Sequence, residues 1–176
     1  MKLIYRDYEN SSLLNEVNDG IQKLPETVQN LLTTKVLNKL EYLLADLEDC
    51  DSPIEQLLFV ALSSRIDIAF GLGTSIRNHF LEAQREIRVN ERRYRVDIFI
   101  VVENYDGDSF AFAIECDGHD FHQKTKEQVA RDKKRERDLM SAGCRVIRFT
   151  GSEIVDNPDG CATEVFKIIH TSVQLK

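Results

Sequence analysis

The sequence predicts an α/β domain, a mixed four-stranded sheet flanked by helices, with a helical extension before it. Three segments after residue 84 carry the period-two pattern of strands, whereas the segments around them repeat at the helical period. The last predicted strand follows a helix, and a strand–helix–strand crossover adds a parallel strand to an otherwise antiparallel sheet. Helices are therefore expected on both faces of the sheet.

Composition sets the broad class of the protein. The 176 residues are 42% hydrophobic and 30% charged, which suits one domain with a sizeable core. Apolar runs are shorter than the roughly 20 residues of a membrane helix, and the start, MKLIYRD, is unlike a signal peptide. A cytoplasmic protein without membrane contact is expected. The four cysteines form no CxxC or CxH pattern, so neither a zinc knuckle nor a disulfide is expected.

The net charge of −7 is unevenly distributed along the chain. Residues 1–60 hold five Lys and Arg against eleven Asp and Glu, whereas residues 121–148 hold nine against four. The excess of acids argues against a protein that coats nucleic acid, but the basic segment favours binding of a polyanion through one face. A solvated helix of mixed charge explains the basic segment equally well.

Residues 1–50 are predicted to be helical. Apolar residues recur at helical spacing from Val28 to Leu44, and Gly20 and Pro25 interrupt the pattern before them. We therefore divide the chain into a helical extension, residues 1–50, and an α/β domain, residues 51–176.

The α/β domain is predicted to begin with a helix that ends near residue 68. Ser52 can be its N-cap, Pro53 suits its first position, and Glu55 can complete a capping box. Glu55 therefore has two readings, as a capping residue or as a residue of a functional site.

A meander of three antiparallel strands is predicted next. The strands cover residues 84–89, 94–103 and 110–116. The turn between the second and the third contains Asp106-Gly107, where the glycine can adopt positive φ.

The rest of the chain predicts helix, strand and helix. Residues 123–141 are polar and rich in helix-forming residues, and Gly143 is a plausible stop. Residues 145–150 form the fourth predicted strand. Asn157-Pro158 makes a turn that can also start the last helix, whose apolar stripe reaches Val173.

Two strands of the predicted hairpin each carry one acid inside an apolar run, Asp97 and Glu115. A buried ionised carboxylate costs several kcal/mol unless it is paired, solvated or bound to metal. If Asp106 is the centre of the turn, the residue numbers of cross-strand partners add to 212. Asp97 and Glu115 are then partners that face each other, with Cβ atoms about 4.5–5.5 Å apart. A two-residue turn at Asp106-Gly107 would place them on opposite faces. The sequence leaves both registers open, although the chemistry favours the first.

Two carboxylates on one face need a cation or a shared proton. Hard oxygen ligands favour Mg²⁺ or Mn²⁺ over zinc, and such an ion can activate water and stabilise charge on a phosphate. Asp117, two residues beyond Glu115, would point to the same face if the strand continues. The alternative for Asp97 and Glu115 is a strand end that merely reaches solvent.

His119 and His122 follow the strand and are further candidates. Either histidine can act as a general base or contact a phosphate. With Asp117 they can instead complete a transition-metal site.

Four motifs, in this order along the chain, resemble those of a known protein family. These are ECDG at residues 115–118, a histidine shortly after it, the polar helix TKEQVARDKKRERDLMSAG and the strand RVIRFTGSEI. Together they resemble the endonuclease-domain proteins related to the very-short-patch-repair endonucleases, within the PD-(D/E)XK restriction-endonuclease-like superfamily. The resemblance covers residues 52–176 and implies an αβββαβ core, which agrees with the order of elements above.

The resemblance implies an endonuclease that uses Mg²⁺ or Mn²⁺ to hydrolyse phosphodiester bonds, with DNA as the expected substrate. It implies Asp97 and Glu115 as metal-binding acids, with the backbone carbonyl of Cys116 as a further ligand. Glu55 corresponds to the acid of the first helix, which often holds a metal-bound water in such folds.

One position departs from the superfamily pattern. The pattern expects a lysine two residues after Glu115, where this chain has Asp117. Lys126 is the first candidate for the role of that lysine, followed by Lys124 and His122.

Basic residues around the predicted site are expected to hold the phosphate backbone, which gives affinity without reading sequence. These nucleic-acid-binding candidates are Arg93, Arg95, Lys124, Arg131, Lys134 and Arg135.

Two other functions remain open. The same fold can serve as an inert module that binds nucleic acid or another partner, or the acidic extension can be the working part of an interaction protein. A homodimer is compatible with the nuclease reading, because enzymes of this class often cut two strands as dimers.

Overall fold

The structure is a computed structural model that describes residues 19–71, 75–118 and 125–174, without the side chains of residues 67–71. The chain forms two compact units, Met1–Leu44 and Ala45–Lys176. In the first unit, residues 19–22 are helical and helix α1 (Glu26–Asp49) begins after Pro25. All residues of α1 are described and none is buried, so this helix presents its apolar residues to solvent.

The second unit contains the α/β fold. Its elements, in chain order, are α2 (Pro53–Gly71), β1 (Ile76–Val89), β2 (Arg92–Asn104), β3 (Ser109–Asp117), α3 (Lys126–Ser141), β4 (Cys144–Thr150), α4 (Gly151–Asp156) and α5 (Pro158–Gln174). No helix in the described ranges is long and apolar enough to cross a membrane.

The sheet has the order β1-β2-β3-β4. The first two pairings are antiparallel and β3 pairs with β4 in parallel, which confirms the predicted mixed sheet. Strand β1 begins at Ile76, eight residues before the predicted start at residue 84. Its first half lies at the sheet edge and exposes apolar Phe80, so its sequence lacks the alternation on which the prediction depended.

The loop between β2 and β3 is closed by Asn104 and Asp108, which leaves three residues, Tyr105 to Gly107, in the turn itself. Asn104 donates its backbone N–H to Asp108 O at 3.0 Å, and Gly107 has φ 87°. A type I turn closed by a left-handed residue is a common three-residue hairpin. The residue numbers of the two partners in each pair of the ladder, such as Ile98↔Ile114, add to 212. This register confirms the odd-length loop that the chemistry favoured.

One face of the sheet carries the larger apolar side chains. Ile98, Ile100 and Val102 of β2 and Phe112 and Ile114 of β3 are buried, and their even spacing directs them to the same side. Helix α2 contacts β2, helix α5 contacts β3, and the two helices pack against each other. These helices cover the larger core.

Helix α3 covers the opposite face. Leu139 of α3 packs with Ala113 and Cys144, and Phe99 and Ala111 lie against this cluster. Ala113, Glu115 and Asp117 follow one another at spacing two, so the acids of β3 lie on the face that α3 covers.

Candidate active site

Asp97 lies where β2 leaves its regular pairing. The β2–β3 ladder ends at Ile98↔Ile114. In the β1–β2 ladder, Gln84 and Asp97 do not pair, although the residues on either side of them do. Gln84 has φ 53°, a left-handed conformation that marks a local irregularity in β1. The side chain of Asp97 is therefore placed at a break in the sheet.

The carboxylate of Asp97 satisfies the end of β3. Its Oδ2 accepts the backbone N–H of Cys116 at 2.7 Å, so a side chain replaces the ladder acceptor there. Burial raises the pKa of Asp97, and the bond from Cys116 lowers it. The charges of Glu55 and Asp117 raise the pKa further, whereas Arg135 lowers it.

Glu115 is 3% exposed, although it is a carboxylate. Arg135 of α3 binds it with both ends of the guanidinium, through Nη2–Oε1 and Nη1–Oε2 contacts of 2.7 Å each. Burial nevertheless raises the pKa of Glu115 to about 7, because Arg135 and Arg148 offset only part of the cost, and Asp97 adds to it. The site therefore holds more carboxylate than its arginines neutralise.

Asp117 forms a second two-point ion pair, with Arg148 of β4. The Nε–Oδ2 and Nη2–Oδ1 distances are 2.9 and 2.6 Å. The parallel register places Arg148 beside Glu115, so both ion pairs lie on one face of the sheet. The bond to Asp117 raises the pKa of Arg148 above its ordinary value, which keeps the guanidinium charged.

Glu55 is buried at the start of α2, and its carboxylate binds the residues before the helix, although the backbone N–H that it accepts is that of Asp51 and not that of the predicted N-cap, Ser52. It accepts hydrogen bonds from Ser52 Oγ at 2.6 Å and from the backbone N–H of Asp51 at 2.9 Å. Gln84 Nε2 donates to it at 2.6 Å. Because its charge also raises the pKa of Asp97, Glu55 lies close enough to act on the acid pair.

The thiol of Cys116 is half-buried beside the acids. Burial, reinforced by the charge of Asp97, raises the pKa of this thiol far above its ordinary value. The resemblance implied a role for the backbone carbonyl of Cys116 and none for its side chain.

Four further residues were predicted to take part in catalysis or to replace the missing lysine. His119, His122 and Lys124 lie outside the described residues. Lys126 is exposed at the first position of α3, about 13 Å along the helix axis from Arg135.

The nucleic-acid-binding candidates differ in their surroundings. Arg93, Arg131 and Lys134 are exposed to solvent. Arg95 pairs with Asp51, and Arg135 is directed at Glu115.

The sequence reasoning did not assign Arg148 to the site. The signal was ambiguous, because β4 carries two arginines, Arg145 and Arg148, and the sequence alone does not show which of them faces the acids. The partner of Arg148 lies 31 residues earlier on another strand, and only the parallel register brings the two together.

Oxygen donors dominate the set of groups that a divalent metal ion would meet at this site. Within residues 19–71, 75–118 and 125–174, no three His, Cys, Asp or Glu side chains gather closely enough to hold an ion. A metal would therefore rest on Asp97, Glu115, backbone oxygen and water, which agrees with the tendency of Mg²⁺ to bind through one or two carboxylates. The residues fit such an ion.

Comparison with known families bears on this geometry. The model of the family REase_MTES_1575 matches residues 73–169, more than half of the chain. The chain belongs to this restriction-endonuclease-like family. The match includes Asp97, Glu115, Asp117 and Arg148, whereas Glu55 precedes it. Membership indicates a nuclease-type domain.

Searches of the curated proteins and of the solved structures found no match to the chain.

Proposed function

We propose that this protein is an endonuclease that hydrolyses phosphodiester bonds in DNA with the help of Mg²⁺ or Mn²⁺. The observation that carries the proposal is the pair Asp97 and Glu115, two carboxylates with raised pKa values on the two central strands of a restriction-endonuclease-like sheet. Groups with such perturbed pKa values concentrate at functional sites.

Stability alone does not account for this pair of acids. Burial of Glu115 beside Asp97 places like charges together and costs free energy even with Arg135 present. A divalent cation would remove this repulsion, so the arrangement favours a site that is completed by a metal ion.

Asp97, Glu115 and the backbone carbonyl of Cys116 would hold the ion. When bound, the ion would supply an activated water and positive charge for the phosphate. Asp97 is oriented for this role by the N–H of Cys116, and Glu115 by Arg135. Glu55 adds negative charge close to Asp97.

Contact with the phosphate backbone is assigned to the exposed basic residues Arg93, Arg131 and Lys134. These contacts would give affinity that falls with salt and is independent of base sequence. Within the wider superfamily, we relate the chain to the very-short-patch-repair endonucleases, on the motif ECDG and the polar helix that follows it.

Cleavage of a supercoiled plasmid, with Mg²⁺, Mn²⁺ or EDTA, tests this function. Wild-type protein should nick the plasmid with either metal and lose activity in EDTA. Asp97→Asn and Glu115→Gln should each lower the rate by a factor of roughly 10² or more, because a lost metal ligand forfeits several kcal/mol of charge stabilisation. Cleavage of a DNA oligonucleotide and of an RNA oligonucleotide of the same sequence shows which nucleic acid is the substrate.

Glu103→Gln is the matched control, because Glu103 is an acid of the same strand that pairs with Arg77 at the surface. Its activity should equal that of the wild type. If the wild type cleaves neither DNA nor RNA, and Asp97→Asn binds DNA as the wild type does, the enzyme function is wrong. The inert nucleic-acid-binding module would then be the better description.

A further inference from the structure

We propose that Arg148, held in place by Asp117, is the catalytic residue that binds the phosphate group undergoing cleavage. The inference rests on the proposed nuclease function and assigns a phosphate ligand at that same site. It also accounts for Asp117, an acid at the position where the superfamily pattern expects a lysine: the positive charge comes from the neighbouring strand instead.

The position of Arg148 is the first argument. It pairs in register with Glu115, on the sheet face that carries the acids. It also forms a two-point ion pair with Asp117, two residues beyond Glu115, so the guanidinium lies beside the acids of β3. A phosphate joined to an ion at Glu115 would therefore approach Arg148.

The hydrogen-bonding capacity of Arg148 is the second argument. A guanidinium has five N–H donors. The side-on pair with Asp117 uses Nε–H and one N–H of Nη2, so three donors remain for a ligand as far as the described residues are concerned. Arg135 differs, since it uses three of its donors on Glu115 and the carbonyl of Arg95.

Exposure is the third argument. The side chain of Asp117 is 12% exposed and that of Arg148 is 27% exposed, so the anchor is the more buried partner. Asp117 thus fixes the plane of the guanidinium from its more buried side. A guanidinium held in one plane suits the two-point binding of phosphate oxygens.

Charge is the fourth argument. The guanidinium of Arg148 is charged at any pH at which the protein is folded, so the site always offers a cation to the phosphate.

A purely structural role makes a different prediction. If Arg148 only neutralises Asp117, its loss leaves a buried unpaired acid, and removal of that acid should repair the damage. If Arg148 binds phosphate, removal of Asp117 in addition to Arg148 repairs nothing, because the phosphate still lacks the guanidinium that binds it. A cation at position 117 should then restore function.

Three variants separate these roles: Arg148→Met, Arg148→Met with Asp117→Asn, and Arg148→Met with Asp117→Lys. Cleavage is measured with Mg²⁺, and duplex affinity is measured with Ca²⁺. We expect Arg148→Met to lose cleavage by roughly a hundredfold or more and duplex affinity by roughly tenfold. The Asn double variant should stay at that level, whereas the Lys double variant should regain at least roughly tenfold in cleavage.

Arg145→Met is the matched control. Arg145 lies three residues earlier in β4 and pairs with Phe112, on the other face of the sheet. Its partner Ser172 still donates to Ile168 O after the change. This variant should cleave and bind as the wild type does, and circular dichroism should show every variant folded.

Recovery in the Asn double variant, or wild-type cleavage by Arg148→Met, would overturn the assignment of Arg148. A Lys double variant no better than the Asn double variant would also overturn it. Failure of the proposed function is distinct, because it shows as an inactive wild type or as an active Asp97→Asn.

Discussion

Glu115 is a buried carboxylate in contact with Arg135 and under the influence of Asp97, Asp117 and Arg148. Two arginines do not bring its pKa back to the ordinary value, because burial and the neighbouring acids oppose them. At the residue scale, the site is therefore a place where one more positive charge would be stabilising.

The pKa of Glu115 predicts a loss of stability as pH rises. In the unfolded chain Glu115 releases its proton near its ordinary pKa of 4.5, whereas the folded protein keeps that proton until about pH 7. Between these values the free energy of unfolding falls as pH rises, by up to about 1.4 kcal/mol per pH unit from this group. Urea unfolding in EDTA from about pH 5 to about pH 8, on wild type and Glu115→Gln, measures the difference.

The wild type should lose stability relative to Glu115→Gln across this range, and the difference should level off above about pH 7. The surface variant Glu103→Gln should follow the wild type. Parallel curves for the wild type and Glu115→Gln would contradict the raised pKa.

Single residues were predictable from the sequence where their own strand showed them to be unusual. Asp97 and Glu115 are acids in apolar strands, and that pattern alone made them candidates; the structure shows both with pKa values raised by burial. The partners Arg135 and Arg148 required the crossover geometry, because each lies 20 or more residues from the acid it binds. Ion pairing across elements is not encoded in local periodicity.

The β2–β3 hairpin places Asp97 close enough to Glu115 for the charge of Asp97 to raise the pKa of Glu115. Its three-residue loop fixes the register, and Gly107 adopts the positive φ that closes the loop. The loop therefore determines the site without contributing a ligand.

Gly107→Ala should lower the free energy of unfolding by about 1–2 kcal/mol, the cost of a left-handed conformation for an L-residue. A Cβ there would meet no atom of the described residues within 4 Å, so the cost comes from the backbone alone. Gly118→Ala is the control, since its site is equally open and its φ lies outside the left-handed range. Equal stability of the two variants in urea unfolding would contradict this account.

Elements with a clear period were predicted, and elements without one were not. The segments 94–103 and 110–116 agree with β2 and β3 to within a few residues. The short helix α4 was not predicted, because six residues are too few to display a helical period. Its capping box, Thr150 with Glu153, was the available signal.

The whole molecule divides at Leu44 and Ala45, within α1. The last turns of α1 are tied to the α/β unit. Asp46 Oδ1 accepts the backbone N–H of Ala83 at 3.2 Å, and Leu47 O accepts Gln56 Nε2 at 2.8 Å. These bonds indicate where a truncated protein should begin.

A chain of residues 45–176 should fold cooperatively and keep the nuclease activity, because the four strands and both ion pairs lie within it. A chain of residues 51–176 should be less stable by about 1–3 kcal/mol, since the N–H of buried Ala83 loses its acceptor. Urea unfolding compares the two chains. If activity disappears with residues 1–44, the acidic extension is the working part of the protein, and this account is wrong.

At the scale of the molecule, the order of elements was enough to predict a mixed sheet covered on both faces. The predicted crossover through α3 and the parallel β3–β4 pairing are both present. The exposed apolar face of α1 was not predicted, because its helical period resembles that of a core helix.

The central claim is that Asp97 and Glu115 together bind a divalent metal ion, and anomalous diffraction from a crystal soaked in Mn²⁺ tests it most directly. The account predicts one strong anomalous peak bonded to a carboxylate oxygen of each residue, and no such peak in Asp97→Asn. A peak at any other site only, or no peak at saturating Mn²⁺, would contradict the account.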